Sequence, residues 1–153
     1  MTNERWLKWA IARYYRSLGY KVSMKPARVG NAMVDGIAIG HVGERIAIEV
    51  KSSRDDIVRG IGQCHEALAA GYSRPVLVTT LRVASKLKKR VFQRTGMKLV
   101  GVDAKARIHG YVADGWRLLS QTATFFRFLE RRPGLLDLEL VCAGSSSSLM
   151  INH

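Results

Sequence analysis

Apolar residues recur at Leu7, Ala10, Ile11, Tyr14 and Leu18, a spacing of threes and fours that predicts an amphipathic helix. Thr2 or Asn3 can cap its start, and Gly19 supplies its stop. The period then changes. Residues 20–24 read as a first strand and residues 25–31 as a basic loop that carries Lys25 and Arg28 and is turned by Pro26 and Gly30. Residues 33–39 and 46–51 are β-rich runs joined at His41-Val42-Gly43, a hairpin connection. A helix is expected over residues 55–70, with Ile57, Ile61, Cys64 and Leu68 on one face. Asp55 and Asp56 fall in its first turn, where negative charge suits the helix dipole.

Residues 76–80 show little polar alternation, as in a strand covered on both faces. The path from the hairpin through the helix to this strand is expected to form a right-handed βαβ unit. Beyond it the pattern predicts a helix over 81–95, strands over 97–102 and 107–112, a helix over 116–130, an edge strand over 135–141 and a tail over 143–153. The fold class is therefore α/β: a mixed central sheet flanked by helices, in αβββαβ order, with an added C-terminal helix. One domain over residues 1–142 accommodates all of it.

Three charges interrupt the two β-rich runs. Side chains alternate along a strand, so Glu49 and Lys51 share one face while Ile46, Ile48 and Val50 share the other. Asp35 sits among Met33, Val34 and Ile37, where an ionised group is costly unless it is paired or binds a cation. The charges converge on one patch of sheet. An internal salt bridge of Lys51 with Asp35 or Glu49 accounts for an isolated Glu-x-Lys; a catalytic cluster is the other reading.

Asp35 followed by Glu49-Val50-Lys51 resembles the active-site signature of the PD-(D/E)xK nuclease superfamily, with Val34 where the motif's name has proline. Upstream, Glu4-Arg5 on the first helix and then Leu18-Gly19-Tyr20-Lys21-Val22 stand in an order similar to the archaeal Holliday-junction resolvase branch. The resemblance covers roughly residues 4–80. It implies a restriction-endonuclease-like core and a metal-dependent DNA endonuclease, structure-specific like a junction resolvase and acting as a homodimer. Mg2+ is the implied cofactor, with Mn2+ as a substitute. Asp35, Glu49 and the carbonyl of Val50 would hold the metal, with Glu4 as a further carboxylate, and Lys51 would orient the attacking water. Without the resemblance, Glu4 is simply a first-turn residue that complements the dipole. Related nucleases also place a glutamine on the helix after the lysine, here Gln63, although the tyrosine that RecB-type members carry four residues on is Ala67. A plain surface glutamine is the alternative.

Composition narrows the partner. Among 153 residues, 25 Lys+Arg against 12 Asp+Glu give a net charge of +13, which favours an extended anion such as DNA over a small neutral substrate. Lys86, Lys88, Lys89 and Arg90 form the densest basic cluster and, with Lys25 and Arg28, are the candidate phosphate contacts. No apolar run approaches the roughly 18 residues of a membrane span, and the N-terminus lacks a signal-peptide core, so a cytoplasmic protein is expected. Cys64 and Cys142 lack ligand-like spacing. Phe125 and Phe126 are candidates for the dimer contact. The rival readings are a nucleic-acid-binding protein that has the fold but does not cut, and a basic scaffold in a nucleoprotein assembly.

Overall fold

The periodic N-terminal stretch forms helix α1 (Glu4–Ser17), which buries Leu7, Ala10, Ile11 and Tyr14. A computed structural model describes residues 4–112 and 115–119 of the chain. Gly19 ends the helix at φ +94°, a left-handed conformation that other residues adopt only at a cost. Its N–H donates to the Arg16 carbonyl at 3.0 Å, and that of Tyr20 to the Tyr15 carbonyl at 3.1 Å.

Strand β1 (Lys21–Ser23) follows. The expected basic loop is in part a strand: β2 (Ala27–Val29) pairs with β3 (Ala32–Val34) as a separate two-stranded hairpin. The single run expected over 33–39 is thereby divided, because β4 (Gly36–Ile39) belongs to the main sheet. The break has a steric cause. A Cβ on Gly36 would lie 2.7 Å from the Ser23 carbonyl oxygen, so β4 opens against the end of β1 at a position where only glycine fits.

β5 (Arg45–Val50) pairs antiparallel with β4, and the chain then passes through a 3-10 turn (Arg54–Asp56) into α2 (Ile57–Ala69). β6 (Val76–Thr80) lies parallel to β5, as the crossover requires. β7 (Lys98–Val102) is parallel to β6, and β8 (Ile108–Val112) and β9 (Gly115–Leu118) continue antiparallel. The result is a mixed seven-stranded sheet in the order β1-β4-β5-β6-β7-β8-β9.

The helix expected over 81–95 is two pieces, α3 (Leu81–Ala84) and α4 (Arg90–Thr95). Between them Ser85 Oγ donates to the Arg82 carbonyl and Lys89 Nζ to that of Ser85. Side chains thus take carbonyls that a continuing helix would use, in a segment crowded with like charges. The helix expected over 116–130 begins instead as β9, whose Trp116 pairs with Tyr111. The rest of that helix, with Phe125 and Phe126, the edge strand over 135–141, the tail and Cys142 lie outside the described residues.

Alternation along the strands divides the core. Ile48, Val50, Val76, Val78, Val100 and Val102 pack with Leu7, Ile11 and Tyr14 of α1 on one face. Leu77 and Leu99 pack with Ile57, Cys64, Ala84 and Phe92 on the other. At about 25 cal/mol per Å2 of apolar surface removed from water, this two-sided burial is the main term holding the sheet. Among the described residues no helix is long and apolar enough to cross a membrane.

Candidate active site

The β4–β5 ladder ends at the Gly36–Ile48 pair, and at the next position side chains replace it. The backbone N–H of Val50 donates to Asp35 Oδ2 at 2.9 Å, and that of Asp35 donates to Glu49 Oε2 at 3.2 Å. Asp35 is therefore the residue at which β3 leaves for its own hairpin, and its carboxylate satisfies an amide that the missing ladder would leave unpaired. Lys51 Nζ donates to Glu49 Oε1 at 2.5 Å, as expected for two residues on one strand face.

A residue not singled out from sequence completes the cluster. Lys8 Nζ reaches down from α1 to Asp35 Oδ1 at 2.7 Å. Lys8, Asp35, Glu49 and Lys51 thus form a linked row of charges where β4 and β5 part, two adjacent carboxylates with an ammonium at each end. The available signal was its position one helical turn after Glu4.

Glu49 is 1 % exposed, and desolvation pushes its carboxyl up from 4.5 to about 7; the Lys51 hydrogen bond opposes this and the Asp35 charge adds to it. The Asp35 hydrogen bond raises Lys8 above its ordinary value, burial opposes it, and the charges of Asp35, Glu4 and Glu49 assist. Glu4 lies partly buried in the first turn of α1, and its link to the cluster is this field on Lys8. Among the described residues no group of three or more His, Cys, Asp or Glu side chains is placed to hold a metal.

Helix α2 forms the wall beneath Lys51. A Cβ on Gly60 would fall 2.7 Å from Leu77 Cδ1 and 3.1 Å from Lys51 Cγ, so glycine lets the helix ride against the lysine stem. Cys64 on the same helix is fully buried, and burial first, then the Glu49 charge, push its thiol up to about 12. Gln63 Nε2 donates to the Met33 carbonyl at 2.5 Å, tying α2 to the hairpin that precedes Asp35. Gln63 Oε1 is buried and lacks a partner among the described residues.

The donor set fits a hard divalent cation. Two neighbouring carboxylates plus a carbonyl suit Mg2+, which takes oxygen ligands and keeps several waters. Glu49 in particular is buried, and that desolvation raises its proton affinity even though Lys51 is bonded to it. Any cation there shares Asp35 with Lys8. Of the candidate phosphate contacts, Lys25 and Arg28 lie exposed on the hairpin side, while Lys86, Lys88 and Arg90 lie exposed around the α3–α4 break. Lys89 is partly buried, its Nζ 5.8 Å from the Tyr111 ring and 5.7 Å from that of Trp116.

No family model matches the chain, and no curated protein matches it. A solved structure of a protein of unknown function from Silicibacter pomeroyi is similar, with a TM-score of 0.52 and 19 % identity over 92 % of each chain. At that identity the likeness bears on the fold alone.

Proposed function

We propose that this protein is a metal-dependent DNA endonuclease with a restriction-endonuclease-like core, cutting structured DNA in the manner of junction resolvases. The observation that carries the reading is the cluster at the parting of β4 and β5. The Asp35 backbone N–H donates to the Glu49 carboxylate, and Lys51 stands on Glu49. The element order agrees with the αβββαβ expectation once the β2–β3 hairpin is treated as an insertion.

In this reading Asp35, Glu49 and the Val50 carbonyl would hold Mg2+, or Mn2+ in its place, and Glu4 would act on the cluster through Lys8. When bound, the metal makes a water more acidic and neutralises charge on the phosphoryl oxygens. The chain's own residues do the rest. Lys51, anchored by Glu49 and braced on Gly60, directs its ammonium at the phosphoryl group and offsets negative charge developing there. The Val50 N–H fixes the rotamer of Asp35, and the Asp35 N–H fixes that of Glu49. The surplus of 13 positive charges draws the DNA in.

The second reading, a protein that binds nucleic acid without cutting it, is favoured by the Lys8–Asp35 ion pair, which leaves the cluster internally neutralised. Incubation of labelled four-way junction, flap, single-stranded and duplex DNA with Mg2+, Mn2+ or EDTA separates the two. Metal-dependent products establish the nuclease, and salt-sensitive binding without products establishes the second reading.

A further inference from the structure

A cleft of about 660 Å3 opens at the C-terminal ends of β6 and β7. Trp6 of α1 and Trp116 of β9 line it together with Leu81 and Val102, and Arg82 and Asp103 are its charged residues. None of these residues belongs to the charge cluster. The two sites nevertheless share one edge of the sheet. Lys51 follows Val50, which pairs with Val78 on β6, and Thr80, two residues further along, lines the cleft and pairs with Val102 on β7. Neighbouring strands lie about 4.8 Å apart, so along the backbone the cleft begins one to two strand spacings from Lys51, whose side chain leaves the sheet toward α2 while Val102 and Trp6 belong to the α1 face.

We infer that this cleft takes an unpaired nucleobase adjoining the bond that is cut, an inference that rests on the nuclease reading for that placement. Its walls are aromatic and aliphatic, which suits the π-face of a base. The Trp116 ring is held in place, packed edge-to-face on Tyr111 with centroids 5.5 Å apart, under Lys89. Arg82 in the lining and Lys86, Lys88 and Arg90 beyond it match the phosphates of the strand that carries the base. Asp103 does not read the base edge. Its Oδ1 accepts the backbone N–H groups of Lys105 and Arg107, and its Oδ2 faces Arg107 Nε and His109 Nε2. Recognition is therefore by stacking and charge, tolerant of base identity, and selects DNA with an unpaired nucleotide over intact duplex.

The test uses a short labelled oligothymidylate in EDTA, so that binding is read apart from cleavage, with the same strand carrying one abasic residue moved position by position. Wild type should bind with quenched tryptophan emission and lose about tenfold in affinity when the abasic residue reaches one position. Trp116→Leu and Trp6→Leu should each bind about tenfold more weakly and flatten that profile. Trp6 also packs against the core, so Trp6→Phe, which keeps an aromatic face, should restore binding. Folded leucine variants with unchanged affinity, or a flat profile in wild type, overturn the inference. A second copy seated in the cleft would produce that flat profile together with tryptophan-dependent dimerisation. A position-specific penalty in EDTA, in a protein that yields no products with Mg2+, sinks the nuclease reading and leaves the base-binding cleft standing.

Discussion

Lys8 Nζ lies 2.7 Å from Asp35 Oδ1, so the first carboxylate of the motif already has a cation, delivered by the helix that packs across the opposite face of the sheet. A divalent ion bound by Asp35 must share it with that ammonium or displace it. Coulomb repulsion between them falls as 1/εr and is of order 1 kcal/mol or more at this range even in a watery environment.

Lys8→Met should therefore tighten Mn2+ binding by about tenfold, since each 1.4 kcal/mol is one decade. Titration calorimetry reads this directly, without any cleavage assay. Weaker or unchanged metal binding would show that Lys8 does not compete for the site.

Asp35→Asn removes the negative charge of the proposed ligand while keeping an acceptor for the Val50 N–H. Lys51→Ala removes the ammonium beside Glu49. Each should lower Mg2+-dependent cleavage of junction or flap DNA by about a hundredfold or more and leave DNA binding in EDTA largely intact. Cleavage that survives both substitutions places the chemistry elsewhere.

Glu49 gives the metal-free protein a pH dependence of definite sign. Its carboxyl titrates near 4.5 when solvated and near 7 in the fold, so between those values the folded state binds more protons and stability falls as pH rises. The loss is on the order of 3 kcal/mol, at about 1.4 kcal/mol for each tenfold change in proton affinity. Urea unfolding in EDTA at pH 5 and pH 8 should show it, Mg2+ should recover part of it at pH 8, and Glu49→Gln should flatten it. Stability that rises over this range would falsify the assignment of Glu49 as a carboxyl whose proton affinity is raised by burial.

Gly60→Ala pushes a methyl into Leu77 Cδ1 and the Lys51 stem. Overpacking of this kind costs roughly 1–3 kcal/mol, and because the displaced side chain is Lys51, kcat should fall more than DNA affinity. Thermal unfolding by circular dichroism together with single-turnover kinetics checks both. An exposed helical glycine, Gly62, has open space around its Cβ position and serves as the control, where alanine should be neutral or slightly stabilising.

Much of this protein was legible in one dimension because its signals are local. The three- and four-residue spacing from Leu7 to Leu18, the stop at Gly19, the turn around Gly43 and the unbroken apolar run of β6 each depend on neighbours in sequence, and each element appears in the structure. Alternation alone set Glu49 and Lys51 on one face, and they meet there. Other features depend on what lies across space. The run through Asp35 splits where Gly36 packs against Ser23 and Met24 at the end of β1 and Asp35 takes over the Val50 amide, facts that exist only once three segments are packed. The helix expected over 81–95 broke because Ser85 and Lys89 found carbonyls to bond, a competition that apolar spacing does not register. Lys8 lies 27 positions before Asp35, and its partner is chosen by how α1 docks on the sheet. Local periodicity determined the elements and the faces they present; docking decided which charges meet, since an ion pair has reach but no sequence spacing.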